Sequence, residues 1–355
     1  MSRLLTPKAP PPTGGGSEKT VRVHRRSALR RFMTRPEVGS LVGAVIVFTL
    51  FFSISDTFRT GSALATILYA SSTIGIMAVA VALLMIGGEF DLSAGVAVIS
   101  SGLAASMFSW YFSVNVWVGA AFALAVSLTI GFLNGWILVR TRLPSFLVTL
   151  AMFLMLQGLN IALTKLITGQ VSTTNISNMD GFDSARVVFA SSFSVLGVDV
   201  RITVLWWLVF VGLATWVLMR TKVGNWIYAV GGNQESARAV GVPVARVKIG
   251  LFMTVGFMAW FSGMHLLFMY NTVQSGEGVG NELLYIMAAV VGGCLLTGGY
   301  GTVVGAAIGA FIYGMTRQGI VYAGWDNNWV FFFVGAMLLL AVVVNGWVRT
   351  QANKR

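Results

Sequence analysis

From Phe112 to Val139, and again from Gly250 to Gly276, the chain carries no Asp, Glu, Lys or Arg. A hydrocarbon core about 30 Å thick is crossed by roughly 20 apolar residues in helix, so each run is long enough to pass through a bilayer. Lipid offers backbone N–H and C=O groups no partners, which leaves helices or closed barrels. Barrel strands alternate polar and apolar residues, and these runs do not. The sequence therefore predicts an all-α, polytopic membrane protein. Only 10% of the 355 residues are charged, against about 25% in a soluble domain. That is too little charge to clothe a wetted surface, and a mean hydropathy of +0.80 agrees.

Hydropathy places about ten spans, near 38–56, 62–86, 92–111, 117–139, 145–167, 202–219, 249–270, 282–297, 301–320 and 328–348. The segment 271–281 is an alternative dip into the membrane. Residues 1–37 are expected to be a disordered, basic cytoplasmic tail, because 1–20 are rich in Pro, Gly and Ser and lack an apolar leader. Residues 38–348 then form the transmembrane domain, with its longest cytoplasmic loop at 220–248, and 349–355 a second cytoplasmic tail.

The net charge of +12 is mostly that first tail: residues 1–35 hold nine Lys or Arg against Glu18 alone, or +8. Basic residues next to a first span follow the positive-inside rule and suit anionic lipid, so no nucleic-acid partner is expected. With the N-terminus inside, Arg140, Arg142, Arg220, Lys222, Arg238, Arg246, Lys248, Arg349, Lys354 and Arg355 fall on the same side. Asp56, Asp180, Asp183, Asp199, Glu277 and Asp326 fall on the other. Both termini are expected to be cytoplasmic.

Small residues recur four apart, as in Gly119/Ala123, Gly131/Gly135 and Gly305/Gly309, a spacing that lets helices approach closely in lipid. A faint internal repeat is also present. Val118 to Ala121 matches Val304 to Ala307, and Gly88 to Leu92 resembles Gly280 to Leu283. In the ten-span scheme these units run in opposite directions, so spans 2–5 are expected to mirror spans 7–10, a design common in transporters.

Two stretches interrupt the apolar pattern with chemistry. In the first, Gly87 and Gly88 permit a chain reversal, Glu89 and Asp91 are acids at a membrane edge, and Asp91 or Ser93 can cap the next helix. A capped turn is the plain reading. In the second, Asn233 can cap a short helix running to Val240, with Glu235 in its first turn, Arg238 later and Gly241 ending it. A short helix on the cytoplasmic side suits a groove on a partner protein, although a solvated loop is equally consistent.

Gly87 to Ser93 resembles the Gly-Gly-(apolar)-Asp-Leu-Ser signature of the ribose/xylose-type sugar permeases of ABC importers, carried here by Gly87, Gly88, Asp91, Leu92 and Ser93. Ala229 to Lys248, Arg142 to Leu150 and Gly292 to Thr302 are similar to three further stretches of that family, in the same order, and the resemblance covers about 62–348. It implies a permease subunit in a bacterial inner membrane. It also implies a second permease copy, cytoplasmic ATP-hydrolysing subunits and an extracytoplasmic sugar-binding protein. Gly232, Asn233, Glu235, Ala237, Arg238 and Gly241 would form the helix that docks on the ATPase. Glu89 departs from the family pattern as an extra residue in the turn, and the basic tail departs too.

The chain has no G-x-x-x-x-G-K-[ST] phosphate loop, so ATP hydrolysis is expected on a partner. With two histidines and one cysteine it offers neither a catalytic triad nor a metal set, and no cofactor is expected. Polar residues inside spans are the pathway candidates, since lipid makes them expensive. They are Asn134, Thr149, Gln157, Asn160, Lys165, Asn271, Gln274, Arg317 and Gln318, with Phe146 and Phe153 as aromatic neighbours; Lys165 and Arg317, near span ends, are expected to snorkel to the interface. Helix–helix hydrogen bonding is the competing role for each. Import of a monosaccharide or polyol is the leading reading. The alternatives are a branched-chain amino acid or autoinducer permease, or an ion-coupled secondary transporter, which would bury an ionisable residue mid-span.

Overall fold

The computed structural model describes residues 36–353, and the side chains of 37–343. Almost all of the anticipated basic tail, and residues 354–355, lie outside the described residues. Among the described residues seven helices are long and apolar enough to cross a membrane: α1 (Pro36–Ile54), α2 (Gly61–Ile86), α3 (Ala94–Phe112), α4 (Val116–Thr141), α5 (Ser145–Thr168), α7 (Ile202–Arg220) and α10 (Val244–Tyr270). Between α5 and α7 lie α6 (Phe182–Ala190) and a hairpin of β1 (Ser192–Val195) and β2 (Val198–Arg201). Its two-residue turn, Leu196 and Gly197, has positive φ at both positions, as the strand twist requires. Then follow α8 (Lys222–Gly232), α9 (Gln234–Ala239), α11 (Asn281–Val291), α12 (Val303–Tyr322) and α13 (Trp329–Asn353).

Apolar on all sides, α2 is a central helix. Of its most apolar stretch 83% is buried, as is 72% for α3 and α10, against 17% for α1. A helix hydrophobic all round belongs in the middle of a bundle. Between membrane helices close packing replaces the hydrophobic drive, and the small residues supply it. Gly131 and Gly135 of α4 lie against the backbone of Phe252 and Ile249 in α10, and Gly305 and Gly309 of α12 lie against Gly292 and Ala288.

Nine of the ten expected spans appear as helices of 19 residues or more. The expected span 282–297 does not: α11 has 11 residues, about 17 Å at 1.5 Å per residue, too short to cross alone. Gly278 and Gly280, with φ near +90°, prevent an earlier start, and Gly292 and Gly293 end the helix. Ahead of it the chain from Asn271 descends beside α3, where Gly278 and Glu282 pack on Gly95. Averaging hydropathy across Val290 to Leu296 had hidden that break.

Connections alternate between two ends of the bundle. One end gathers 87–93, 142–144, 221–243 and 292–302, where Gly299 N–H donates to Ile86 O at 2.8 Å. At the other end Val116 N–H donates to Asp180 O and Thr173 N–H to Val273 O, both at 3.0 Å, and Ser55 Oγ donates to Tyr322 O. Arg140, Arg142, Arg220, Lys222, Arg238, Arg246 and Lys248 thus share an end, while Lys165, Arg186 and Arg201 lie toward the other.

Candidate functional site

The site is assembled where α2 stops. Gly88 N–H donates to Met85 O at 2.9 Å and Glu89 N–H to Leu84 O at 3.1 Å. These are the paired bonds of a helix ended by a left-handed residue. Gly88 is that residue, with φ +84°, and a Cβ there would lie 3.3 Å from the Gly231 Cα. The chain then turns through residues held from three directions. Phe90 N–H donates to Ser145 Oγ and Leu92 N–H to Thr149 Oγ1, each at 3.1 Å. Ser145 and Thr149, four apart, share one face of α5. Asp91 Oδ1 accepts from Ser93 N–H at 2.8 Å and Ser93 Oγ at 2.6 Å, while Asn134 Nδ2 of α4 donates to Ser93 Oγ at 2.9 Å.

Asp91 is 3% exposed. Burial raises its carboxyl above the usual carboxylate range, and the hydrogen bonds from Ser93 and Asn134 pull the other way. Asn134 Oδ1 is buried with no partner among the described residues.

Glu89 is buried too, and Lys248 of α10 forms an ion pair with it. Lys248 Nζ also donates to Gln234 Oε1 in α9 at 2.7 Å. A buried lysine and glutamate satisfy each other's charge where neither alone would be tolerated. The pair thereby joins the turn after α2 to the short helix α9. The sequence showed Glu89 as an anomaly, and Lys248 sits 159 residues away, so no local spacing announced the pairing.

α9 is capped by Asn233, whose Oδ1 accepts from Ser236 N–H at 2.8 Å. Glu235 is in its first turn and Arg238 in its last, matching the helix dipole. Gly241, φ +85°, follows its end. Ala237, 3% exposed, faces the bundle. Gly232, Asn233, Glu235, Arg238 and Gly241 are exposed, and Val240 is 79% exposed. Beside α9 a cleft of about 600 Å³ opens between Arg142, Pro144, Glu235, Arg238 and Lys248.

The four stretches singled out in the sequence meet here. Gly231 touches Ile86 and Gly299, Gly298 lies on Gly88, and Tyr228 Oη donates to Gly301 O at 2.8 Å. Segments from 87 to 302 form one junction at one end of the bundle.

Comparison with known proteins decides what that junction belongs to. Residues 63–342 match the family described as branched-chain amino acid transport system / permease component. The chain belongs to this family of permeases. It is 32% identical to the ribose import permease protein RbsC of Escherichia coli (strain K12), over 89% of this chain and 96% of that one. It is 30% identical to the L-arabinose ABC transporter permease protein AraH of Azospirillum brasilense, over 99% and 98%. It is 28% identical to the xylose transport system permease protein XylH of Escherichia coli (strain K12), over 90% and 93%. No solved structure matches. The protein is a polytopic membrane permease of an ABC importer.

The permease places the expected pathway residues unequally. Asn134, Thr149 and Asn160 are buried and bonded between helices: Thr149 to Leu92 N–H, and Asn160 Oδ1 accepting from Ser100 Oγ at 2.9 Å. Phe146 is exposed on α5, and Phe153 and Gln157 are half-buried. Asn271 ends α10 at φ 63°, and Gln274 pairs with Ser172 in an isolated bridge. These residues do not converge on one cavity. Cys294 is buried and His265 is held between Tyr69 and the Phe189 carbonyl.

Proposed function

We propose that this permease imports a monosaccharide or related polyol through a pathway formed with a second copy. A separate ATPase drives it by pressing on α9, and an extracytoplasmic binding protein delivers the solute. The carrying observation is the continuous bonded route from α9 through Lys248 to Glu89 and the turn that Ser145 and Thr149 grip. The relatives named for ribose, L-arabinose and xylose support a sugar. The shared basic end supports a cytoplasmic α9 and cytoplasmic termini in a bacterial inner membrane. Asp91, in the turn before α3, and Glu282, in the first turn of α11, are buried acids at matching points of the faint sequence repeat, which supports the inverted arrangement of spans 2–5 and 7–10.

Movement of α9 on ATP binding would pull on a side chain anchored in the turn between α2 and α3, and so tilt two central helices. The exposed Glu235, Arg238 and Val240 would meet the ATPase, with the neighbouring cleft receiving a projecting element. The test is uptake into proteoliposomes holding the permease, its ATPase and its binding protein. The probes are labelled D-ribose, L-arabinose, D-xylose, D-fructose, D-galactose and L-leucine. Sugar uptake that requires ATP supports the reading. Uptake of leucine alone, or uptake by the permease without its ATPase, contradicts it.

A further inference from the structure

A second polar region lies in the half of the bundle away from α9. Between α2, α10, α11 and α12 is a cavity of about 240 Å³ lined by Tyr69, Thr73, Ser262, Tyr285, Tyr313 and Arg317, among others. Tyr285 and Tyr313 are buried, and Tyr270 beside the cavity is 60% exposed.

We propose that this cavity is the station where a single permease chain holds its solute, a neutral polyhydroxylated ring of monosaccharide size; the proposal rests on the import reading above. Four observations carry it. First, Ser262 Oγ is buried with no hydrogen-bond partner among the described residues. An unmade bond in such a place costs free energy, and a ligand hydroxyl would supply it.

Second, Tyr69 is fixed in place. His265 Nδ1 lies 2.8 Å from Phe189 O, which only accepts, so Nδ1 bears hydrogen and the neutral ring's Nε2 accepts from Tyr69 Oη at 3.1 Å. A preorganised aromatic wall binds at lower entropic cost than a mobile one.

Third, the lining fits hydroxyls and disfavours a cation. Phenols, Thr73 and Gln318 both donate and accept, as sugar hydroxyls do. No Asp or Glu lines the cavity, which removes a counter-charge for a cationic solute. Arg317 has no ion pair among the described residues and so keeps donors for ring or hydroxyl oxygens. Fourth, the larger groove along α3, α4 and α5 is unsuited. It is walled by residues such as Leu103, Phe122, Leu159 and Leu163, and its polar Ser100 and Asn160 bond to each other.

The experiment uses the reconstituted transporter with Cys294→Ser and one added thiol, Thr73→Cys, or Ser262→Cys if the first does not assemble. Leu196→Cys, in the fully exposed hairpin turn between β1 and β2, is the control. A membrane-impermeant thiol reagent is added on the side opposite the ATPase, with and without the sugar found by the uptake panel. At four times its Kd, that sugar should slow labelling at the cavity roughly five-fold, as 1 + [L]/Kd, and leave Leu196→Cys unchanged. Arg317→Gln should raise the KM for uptake while ATP hydrolysis continues. Unchanged labelling and unchanged KM, with wild-type uptake intact, would overturn the cavity and leave the import reading standing. Stronger protection by the corresponding aldonate than by the sugar would overturn the neutral class. If the wild type takes up no sugar of the panel, both readings fall together.

Discussion

Glu89 and Lys248, 159 positions apart, meet as a buried ion pair under the short helix α9, and Lys248 holds Gln234 of that helix as well. Each side chain is about one-tenth exposed. One lysine therefore ties the surface helix to the turn between two central helices, α2 and α3.

Breaking that pair from one side strands a buried charge. Lys248→Ala should destabilise the permease by about 3–5 kcal/mol, and Lys248→Met, which keeps the apolar stem, should do nearly the same. Reversal by Glu89→Lys with Lys248→Glu should recover part of the loss. Thermal unfolding in detergent measures the stability, and uptake per ATP hydrolysed measures the linkage. If the charge were incidental, Lys248→Ala would unfold at the wild-type temperature.

Gly88→Ala meets two costs, a left-handed residue at roughly 1–2 kcal/mol and contact with Gly231. Gly231→Ala should be worse, because its Cβ would fall on the Ile86 carbonyl, a backbone atom that cannot swing aside. Yield of folded protein after membrane extraction should fall in the order wild type, Gly88→Ala, Gly231→Ala.

These glycines show how far the sequence could be read. The turn after α2 was visible from Gly87 and Gly88, and the capped helix from Asn233, Arg238 and Gly241, since both are local patterns. The long helices were visible because lipid demands unbroken apolar runs. What escaped was non-local or averaged away. The pairing of Glu89 with Lys248 has no periodic signature. α11 reads as a full span in the sequence because the apolar residues beyond Gly292 and Gly293 keep the hydropathy high after the helix stops. α6 and the hairpin at 192–201 carry short apolar periods, Phe182/Ala185/Phe189 and Phe193/Val195 with Val198/Val200, that do not stand out beside the long membrane runs. The Tyr69 to Tyr313 cavity was hidden in the same way, its tyrosines looking like ordinary membrane aromatics.

Ser145 and Thr149 each accept one backbone N–H of the turn. Ser145→Ala and Thr149→Val should each cost about 1 kcal/mol or more, since the orphaned N–H is partly buried. The double variant should lose more than the sum if the turn detaches from α5. Melting temperatures of the three proteins check this.

Asn134→Leu removes the donor to Ser93 while filling its space, and should destabilise by about 1–3 kcal/mol. Asn134→Asp places a second acid beside Asp91 and should be more harmful below saturation of either carboxyl. Comparing their unfolding at pH 7 and pH 5 separates the two, with the Asp variant recovering at the lower pH.

In the proposed cycle α9 receives work from outside the permease. Glu235→Lys with Arg238→Glu reverses two exposed charges and leaves Ala237, Asn233 and Lys248 in place. Measured in the reconstituted transporter, this variant should keep the wild-type melting temperature while losing co-purification of the ATPase and at least tenfold of ATP-driven sugar uptake, about 1.4 kcal/mol of coupling. Undiminished uptake, with the ATPase still bound, would contradict it.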